Sequence, residues 1–311
     1  MNLTTGKKRR LQYEHPVMVA IAVLAGVFVL SWLGMTFIFT KVSDFPEPGM
    51  FGPGSGKIGV VELKGLITSP EKAIKELTSF RKDHRIAAIV LRIDSPGGAV
   101  GASQEIFEEV KRTRQTKPVV ASMGSVAASG GYYAALGADK IMASRGTLTG
   151  SIGVIIKFAN LSEIFNKIGY KSEVVKSGAM KDIGATNRTM TPQERQLVQG
   201  IIDNVQEQFV QAVSASRTLP VEKVRKLADG RIYSGEQALT AGLIDQFGNF
   251  NDAVMLAAQL GGLKETLPDL IYPAEKNFSL LRLLVGEGGN AIFEGAAFSP
   301  PVLSYEWSIA Q

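Results

Sequence analysis

The folded part of this chain is expected to be an α/β domain standing behind one apolar segment. Three observations predict it. From Ile58 onward, short apolar runs alternate with amphipathic stretches, the order that builds a sheet with helices packed on it. The run Ile86-Ala87-Ala88-Ile89-Val90-Leu91-Arg92-Ile93 is almost continuously apolar, as strands buried on both faces are. Glycine-rich stretches such as Ser95-Pro96-Gly97-Gly98 and Ser129-Gly130-Gly131 end the apolar runs, as turns do. A length of 311 residues allows one or two domains and a real core.

The first element is the uncharged apolar run from Val17 to Phe39. About 20 residues at 1.5 Å each suffice to cross a hydrocarbon core of roughly 30 Å. Its exit, Phe39-Thr40-Lys41-Val42, offers no small-x-small cleavage site, so an uncleaved transmembrane helix is expected rather than a signal peptide. Lys7, Lys8, Arg9 and Arg10 precede it and only Lys41 follows. That bias keeps the N-terminus cytoplasmic and sends the bulk of the chain outward, to the periplasm or cell exterior. The expected divisions are a basic stub (1–16), an anchor (17–39), a Pro/Gly linker (40–56), a folded domain (57–260) and a C-terminal extension (261–311).

Within the domain, Ile58 to Leu63 reads as a strand. Ser69-Pro70-Glu71 opens a helix with Ser69 as N-cap and Pro70 at the first position, running to about Arg81. The apolar strand at 86–93 follows, then an amphipathic helix from about Ser103 to Arg114. Pro118 to Met123 is a third strand, Tyr132 to Ala138 a helix, and Lys140 to Ala143 a short fourth strand. A Gly/Thr loop from Gly146 runs into an apolar strand at about Ile152 to Val154. Leu161 to Ile168 reads as helix and Lys171 to Val175 as strand. Thr191-Pro192-Gln193-Glu194 is a capping box with Pro in the first turn. Leu197, Ile201, Val205, Phe209 and Val213 then recur every four residues along a long helix, a packing stripe for the core or a subunit contact. Val221 to Leu227 and Gly235 to Ala241 are short helices, the second closed by Gly242. Beyond Gly261 only Phe278 to Val285 suggests a helix, and Gly286 to Gln311 is expected to be loose.

Composition removes several chemistries. The chain has no cysteine, hence no disulfide, thiolate catalysis or Cys-based zinc site. Of the net charge of +5, residues 1–41 carry +4, so basicity marks the membrane segment and no nucleic-acid-binding face is expected. His15 and His84 are the only histidines; they form no metal cluster, and neither a metal nor a cofactor is expected.

The chemistry centres on Gly124 to Tyr133. An apolar strand leads into a helix through Ala127-Ala128-Ser129-Gly130-Gly131, close to the nucleophile elbow G-x-S-x-G but with Ala in place of the first Gly. Such a junction exposes a side chain at a strand end and leaves backbone N–H groups where an oxyanion can be held. A histidine base is excluded: His15 adjoins the anchor, His84 lies in the charged loop Lys82-Asp83-His84-Arg85, and no histidine follows the serine. Lysine is the known substitute. Free lysine has a pKa near 10.4, and an apolar site can lower it by up to ~3–5 units. Lys181, in Ser177-Gly178-Ala179-Met180-Lys181, has small and apolar neighbours, but the residues alone do not single it out among the lysines.

From Gly56 to about Leu260 the chain resembles the signal peptide peptidase A family. The resemblance rests on Asp94-Ser95-Pro96-Gly97-Gly98, Ala127 to Tyr133, Gly150-Ser151-Ile152-Gly153-Val154, Lys176 to Asp182 and Gly230 to Ala238, in that order. It implies the single-domain form of a Ser-Lys peptidase with a ClpP/crotonase-like repeated β-β-α core. Carried over by position, Ser129 would be the nucleophile and Lys181 the general base. Ser151 would orient the amine, and the N–H groups of Gly98 and Gly130 would form the oxyanion hole. Asp94 and Tyr132 are expected to be structural. Asp182 would oppose the neutral form of Lys181 unless it points away. The resemblance also implies remnant signal peptides as substrates, a membrane setting and a homo-oligomer in which a neighbouring subunit can supply the lysine. Two other readings share the fold: an acyl-CoA enzyme of the crotonase type and a non-catalytic membrane scaffold.

Overall fold

The computed structural model describes residues 24–33, 56–264, 268–273 and 304–306. The chain divides into two compact units, Met1–Met50 and Phe51–Gln311. In the first, residues 24–33 form an exposed helix, α1. No helix among the described residues is long and apolar enough to cross a membrane; the remainder of the expected span lies outside the described residues.

The second unit is mixed α/β. Its sheet is built on β1 (Lys57–Lys64), β2 (Ile86–Ser95) and β4 (Val119–Ala128), all parallel, with β2 between the other two. The helix α2 (Glu71–Lys82) connects β1 to β2. After β2 come the short β3 (Gly97–Ala99) and the helix α3 (Val100–Arg114). The helix α2 starts one residue later than expected: Pro70 is the N-cap, and no side chain caps the backbone. Proline presets the helical φ but has no side-chain acceptor to offer.

The long β4 serves two neighbours in turn. Its first half pairs with β5 (Lys140–Ala143) and its last three residues with β6 (Leu148–Gly150). The short helix α4 (Gly130–Ala135) leaves its end. Alternate residues of β2 face opposite sides: Ile89, Leu91 and Ile93 pack in the larger core, Ala88 and Val90 in the smaller. Both faces being covered is what the continuous apolar run of β2 required.

After β6 the chain is less regular. A one-and-a-half-turn α5 (Ser162–Lys167) lies within the expected helix. The expected strand at 171–175 does not form. Its residues are exposed, Val175 at 96%, and no edge of the described sheets meets it; an extended segment needs a partner to become a strand. Likewise Ile152 to Val154 is irregular, and only Ile155 makes a bridge. The long α6 (Pro192–Arg217) carries the predicted capping box, with Thr191 Oγ1 accepting from the Glu194 N–H. The helix α7 (Val221–Leu227), β7 (Ile232–Ser234) and α8 (Gly235–Ala241) follow, α8 closed by Gly242 in the left-handed region. β8 (Gln246–Phe247) pairs with β5.

No helix is expected between Gly242 and Gly261, yet α9 (Phe250–Leu260) forms there. Ala253, Val254, Ala257 and Ala258 cover the second face of the sheet. The signal was there: Asn249 and Asp252 make a capping box before an Ala-rich run. Two short strands come from beyond α9. β9 (Leu270–Ile271) adds to β1, and β10 (Ser304–Glu306) pairs antiparallel with β3. The latter corrects the expectation of a loose end at these residues. The candidate helix at 278–285 lies outside the described residues.

Candidate active site

Ser129 stands at the turn between β4 and α4. Its backbone takes φ 52° and ψ −113°, a region that L-residues other than glycine occupy at a cost of roughly 1–3 kcal/mol. Hydrogen bonds impose the turn: the Ser129 N–H donates to the Gly150 carbonyl at 2.7 Å, and its own carbonyl accepts from the Tyr133 N–H at 2.8 Å. The residue is 1% exposed, and its Oγ has no hydrogen-bond partner among the described residues. A buried hydroxyl left unpaired costs about 1–3 kcal/mol. Strain and an unpaired polar atom on one residue mark a functional position.

Gly98 and Gly130 meet beside it. A Cβ on Gly98 would collide with the Ile67 carbonyl oxygen, and one on Gly130 with Ser103 Oγ. The Gly130 Cβ would also stand 3.1 Å from the Gly98 nitrogen. Both positions therefore demand glycine, and they bring two backbone amides, one from β3 and one from the start of α4, to one place.

Ser151 belongs to the turn that receives the Ser129 N–H, one residue beyond Gly150. It too has positive φ, 48°, and its N–H donates to the Arg231 carbonyl at 2.9 Å. With Gly153, Ile155, Gln206 and Gly230 it lines a cleft of about 430 Å³. The turns of Ser129 and Ser151 are thus joined by the chain's own backbone.

Lys181 is not joined to them. It is exposed, in an irregular turn where its N–H donates to the Gly178 carbonyl at 3.1 Å. Since Ser129 Oγ has no partner, no Ser129–Lys181 hydrogen bond exists within this single chain. Asp182 points elsewhere: its carboxylate binds Arg188 at 2.9 Å and also Lys176. Those two cations, Arg188 first, hold it well below the usual carboxylate range. Arg188 also holds Glu194, lowered to about 2 by that bond and by the Thr191 N–H. The anticipated opposition of Asp182 to a neutral lysine is taken up by this cluster.

Asp94 and Tyr132 serve the scaffold. Asp94 Oδ1 accepts from the Val126 N–H at 3.0 Å, and the fully buried Tyr132 donates its hydroxyl to the Leu243 carbonyl at 2.8 Å. No group of three or more His, Asp or Glu side chains among the described residues could hold a metal ion. An aromatic group that the sequence does not announce lies beside the site: Phe107, Tyr133, Phe209 and Tyr305 pack ring against ring. Three of them read as ordinary core, and nothing local to Tyr305 announces its place.

Comparison with known proteins gives this geometry a family. Residues 111–264 match the model of Peptidase family S49. The chain is 45% identical over 208 residues to the putative protease slr0021 of Synechocystis sp., covering 67% of this chain and 75% of that protein. It is 36% identical over 244 residues to the chloroplastic serine protease SPPA of Arabidopsis thaliana, covering 75% of this chain but 36% of the relative. It is 37% identical over 182 residues to the putative signal peptide peptidase SppA of Enterococcus faecium, covering 58% of this chain and 53% of the relative. The chain thus spans three quarters of the first relative, about a third of the second and about half of the third. On these matches the chain belongs to peptidase family S49.

Proposed function

We propose that the protein is a membrane-anchored endopeptidase with a serine–lysine dyad, acting on remnant signal peptides. One observation carries the reading: Ser129 Oγ is buried and unpaired on a strained turn beside the amides of Gly98 and Gly130. Ser129 attacks the scissile carbonyl while the Lys181 amine takes its proton, and Ser151 accepts a hydrogen bond from that amine. The Gly98 and Gly130 N–H groups hold the oxyanion as it forms. The amine then protonates the leaving nitrogen, and water hydrolyses the acyl-enzyme.

The dyad is shared between subunits in this reading. Lys181 is exposed; a neighbouring copy would bury it and complete the site. The β2–β3–α3 unit, and a β4 that passes from one neighbour to the next, support assignment to the ClpP/crotonase class. The apolar run at 17–39 and the basic residues before it support a single-pass anchor with the catalytic domain outside the cytoplasm. The signal-peptide substrate rests on the name of the Enterococcus relative and on the anchor, which would hold the site near apolar peptides leaving the bilayer.

The test is cleavage of a leucine/alanine-rich peptide by the full chain in detergent, across pH 6–10, beside Ser129→Ala and Lys181→Ala. Both variants should lose at least about 10³-fold, and wild-type activity should rise with pH because the base must be neutral. Activity that survives Ser129→Ala overturns the assignment.

A further inference from the structure

A serine that orients an amine has to keep its own place, and Ser151 sits at φ 48°, where a residue other than glycine needs support from its surroundings. The backbone supplies part of that support. The Ser151 N–H donates to the Arg231 carbonyl at 2.9 Å, the Gly230 N–H donates to the Ile152 carbonyl at 3.1 Å, and Gly150 pairs with Ile232. One side chain adds to it from across the cleft. Gln206, in the middle of α6, donates its amide nitrogen to the Ile152 carbonyl at 3.3 Å and to the Ala228 carbonyl at 2.7 Å. It thereby ties the long helix to both of the segments that frame Ser151.

The same amide has an acceptor to spare. Two carbonyls can be met only by its NH2 end, so its oxygen is turned away from them. That oxygen, Oε1, is buried and has no partner among the described residues. The other buried side-chain atoms there in that condition are Thr113 Oγ1 and the nucleophile's own Oγ. Gln206 and Ser151 line one cleft. A buried acceptor without a donor is costly to keep, and the cleft that holds this one is where an amine bonded to Ser151 has to arrive.

We propose that Gln206 positions the general base: its amide nitrogen fixes the Ser151 turn, and its Oε1 receives the Lys181 amine beside Ser151 Oγ. The proposal rests on Lys181 being the base and Ser151 its partner. A neutral acceptor suits the task, since it directs the amine without the negative charge that would favour the ammonium form. The charged groups around it have other partners. On α6, Glu207 pairs with Arg225 of α7 at 2.6 Å, and Asp203 accepts from Gln199 at 2.7 Å. Asp229 is held at about 2 by Arg231, and burial pushes the Tyr233 and Tyr305 hydroxyls up. A limb of the activity profile that rises between pH 6 and 10 therefore belongs to the amine.

The pH dependence of kcat for a leucine/alanine-rich peptide, measured with the full chain in detergent, tests this. Gln206→Glu keeps the shape of the side chain but sets a carboxylate against the amine, and should move the rising limb to higher pH by about 1–3 units. Gln206→Met fills the same space without polar atoms. It should lower kcat about ten-fold, with KM within about two-fold of wild type and no alkaline move of the limb. Gln208→Glu adds the same charge at an exposed position of the same helix and should change neither kcat nor the limb. A glutamine that only braces the fold would lower the rate of Gln206→Glu alike at every pH. An unmoved limb in that variant overturns the proposal, as does wild-type kcat in Gln206→Met or an equal shift in Gln208→Glu. Should Gln206→Glu fail to fold, kcat of Gln206→Met decides. Failure of the dyad reading looks different: Lys181→Ala then remains active, or wild type shows no rising limb.

Discussion

Ser129 combines a reactive position with a backbone that glycine would tolerate better, so stability and activity should part there. Ser129→Gly is expected to be inactive, yet to melt several degrees above the equally inactive Ser129→Ala. Relief of roughly 1–3 kcal/mol of strain, at about 2–4 °C per kcal/mol for a domain of this size, sets the scale; equal melting temperatures would deny the strain. Gly98→Ala pushes a methyl group into the Ile67 carbonyl and moves the amide, so kcat should fall on the order of 10²–10³-fold. The Arg188 cluster makes a pH prediction. Asp182 and Glu194 are both held below their ordinary values in the folded state, chiefly by Arg188. Their contribution is present above the unfolded carboxylate range near pH 4.5 and is lost as pH falls toward 2. Arg188→Met should therefore lower Tm at neutral pH and flatten its decline between pH 4.5 and 2. The elbow was legible because its small residues are local. The Arg188 cluster was not, since charges six residues apart meet only through a particular turn.

At the scale of elements, caps and apolar periods decided most of what forms. Thr191 and Glu194 cap α6 reciprocally, and Asn249 accepts from the N–H groups of Asn251 and Asp252 at 2.8 and 3.2 Å. Thr191→Ala and Asn249→Ala should each cost about 1 kcal/mol, read as a Tm shift of roughly 2–4 °C; no shift would mean these helices depend on packing alone. The strands were legible where both faces are buried. Short ones such as β8 and β9 were not, because two residues carry no period and pair only when an edge is offered. The segment 171–175 shows the converse, with strand-like residues and no edge to pair with.

At the scale of the whole molecule, the unpaired serine and the exposed lysine make an expectation for assembly. Ser129→Ala and Lys181→Ala chains, each inactive alone, should recover part of the wild-type activity when co-assembled, because a lysine from one completes the serine of the other. No recovery in a verified mixed oligomer would confine the dyad to one chain. By itself the sequence determined the α/β alternation, the capped helices and the glycines beside Ser129, since each depends on neighbours within a few residues. Tertiary structure decided the rest: that Ser129 and Ser151 share a backbone contact, that Asp182 turns to Arg188, and that Tyr305 fills an aromatic slot some two hundred residues from Gly98. Pairing of that kind depends on the edge a distant strand presents, and no local pattern encodes which edge will be free.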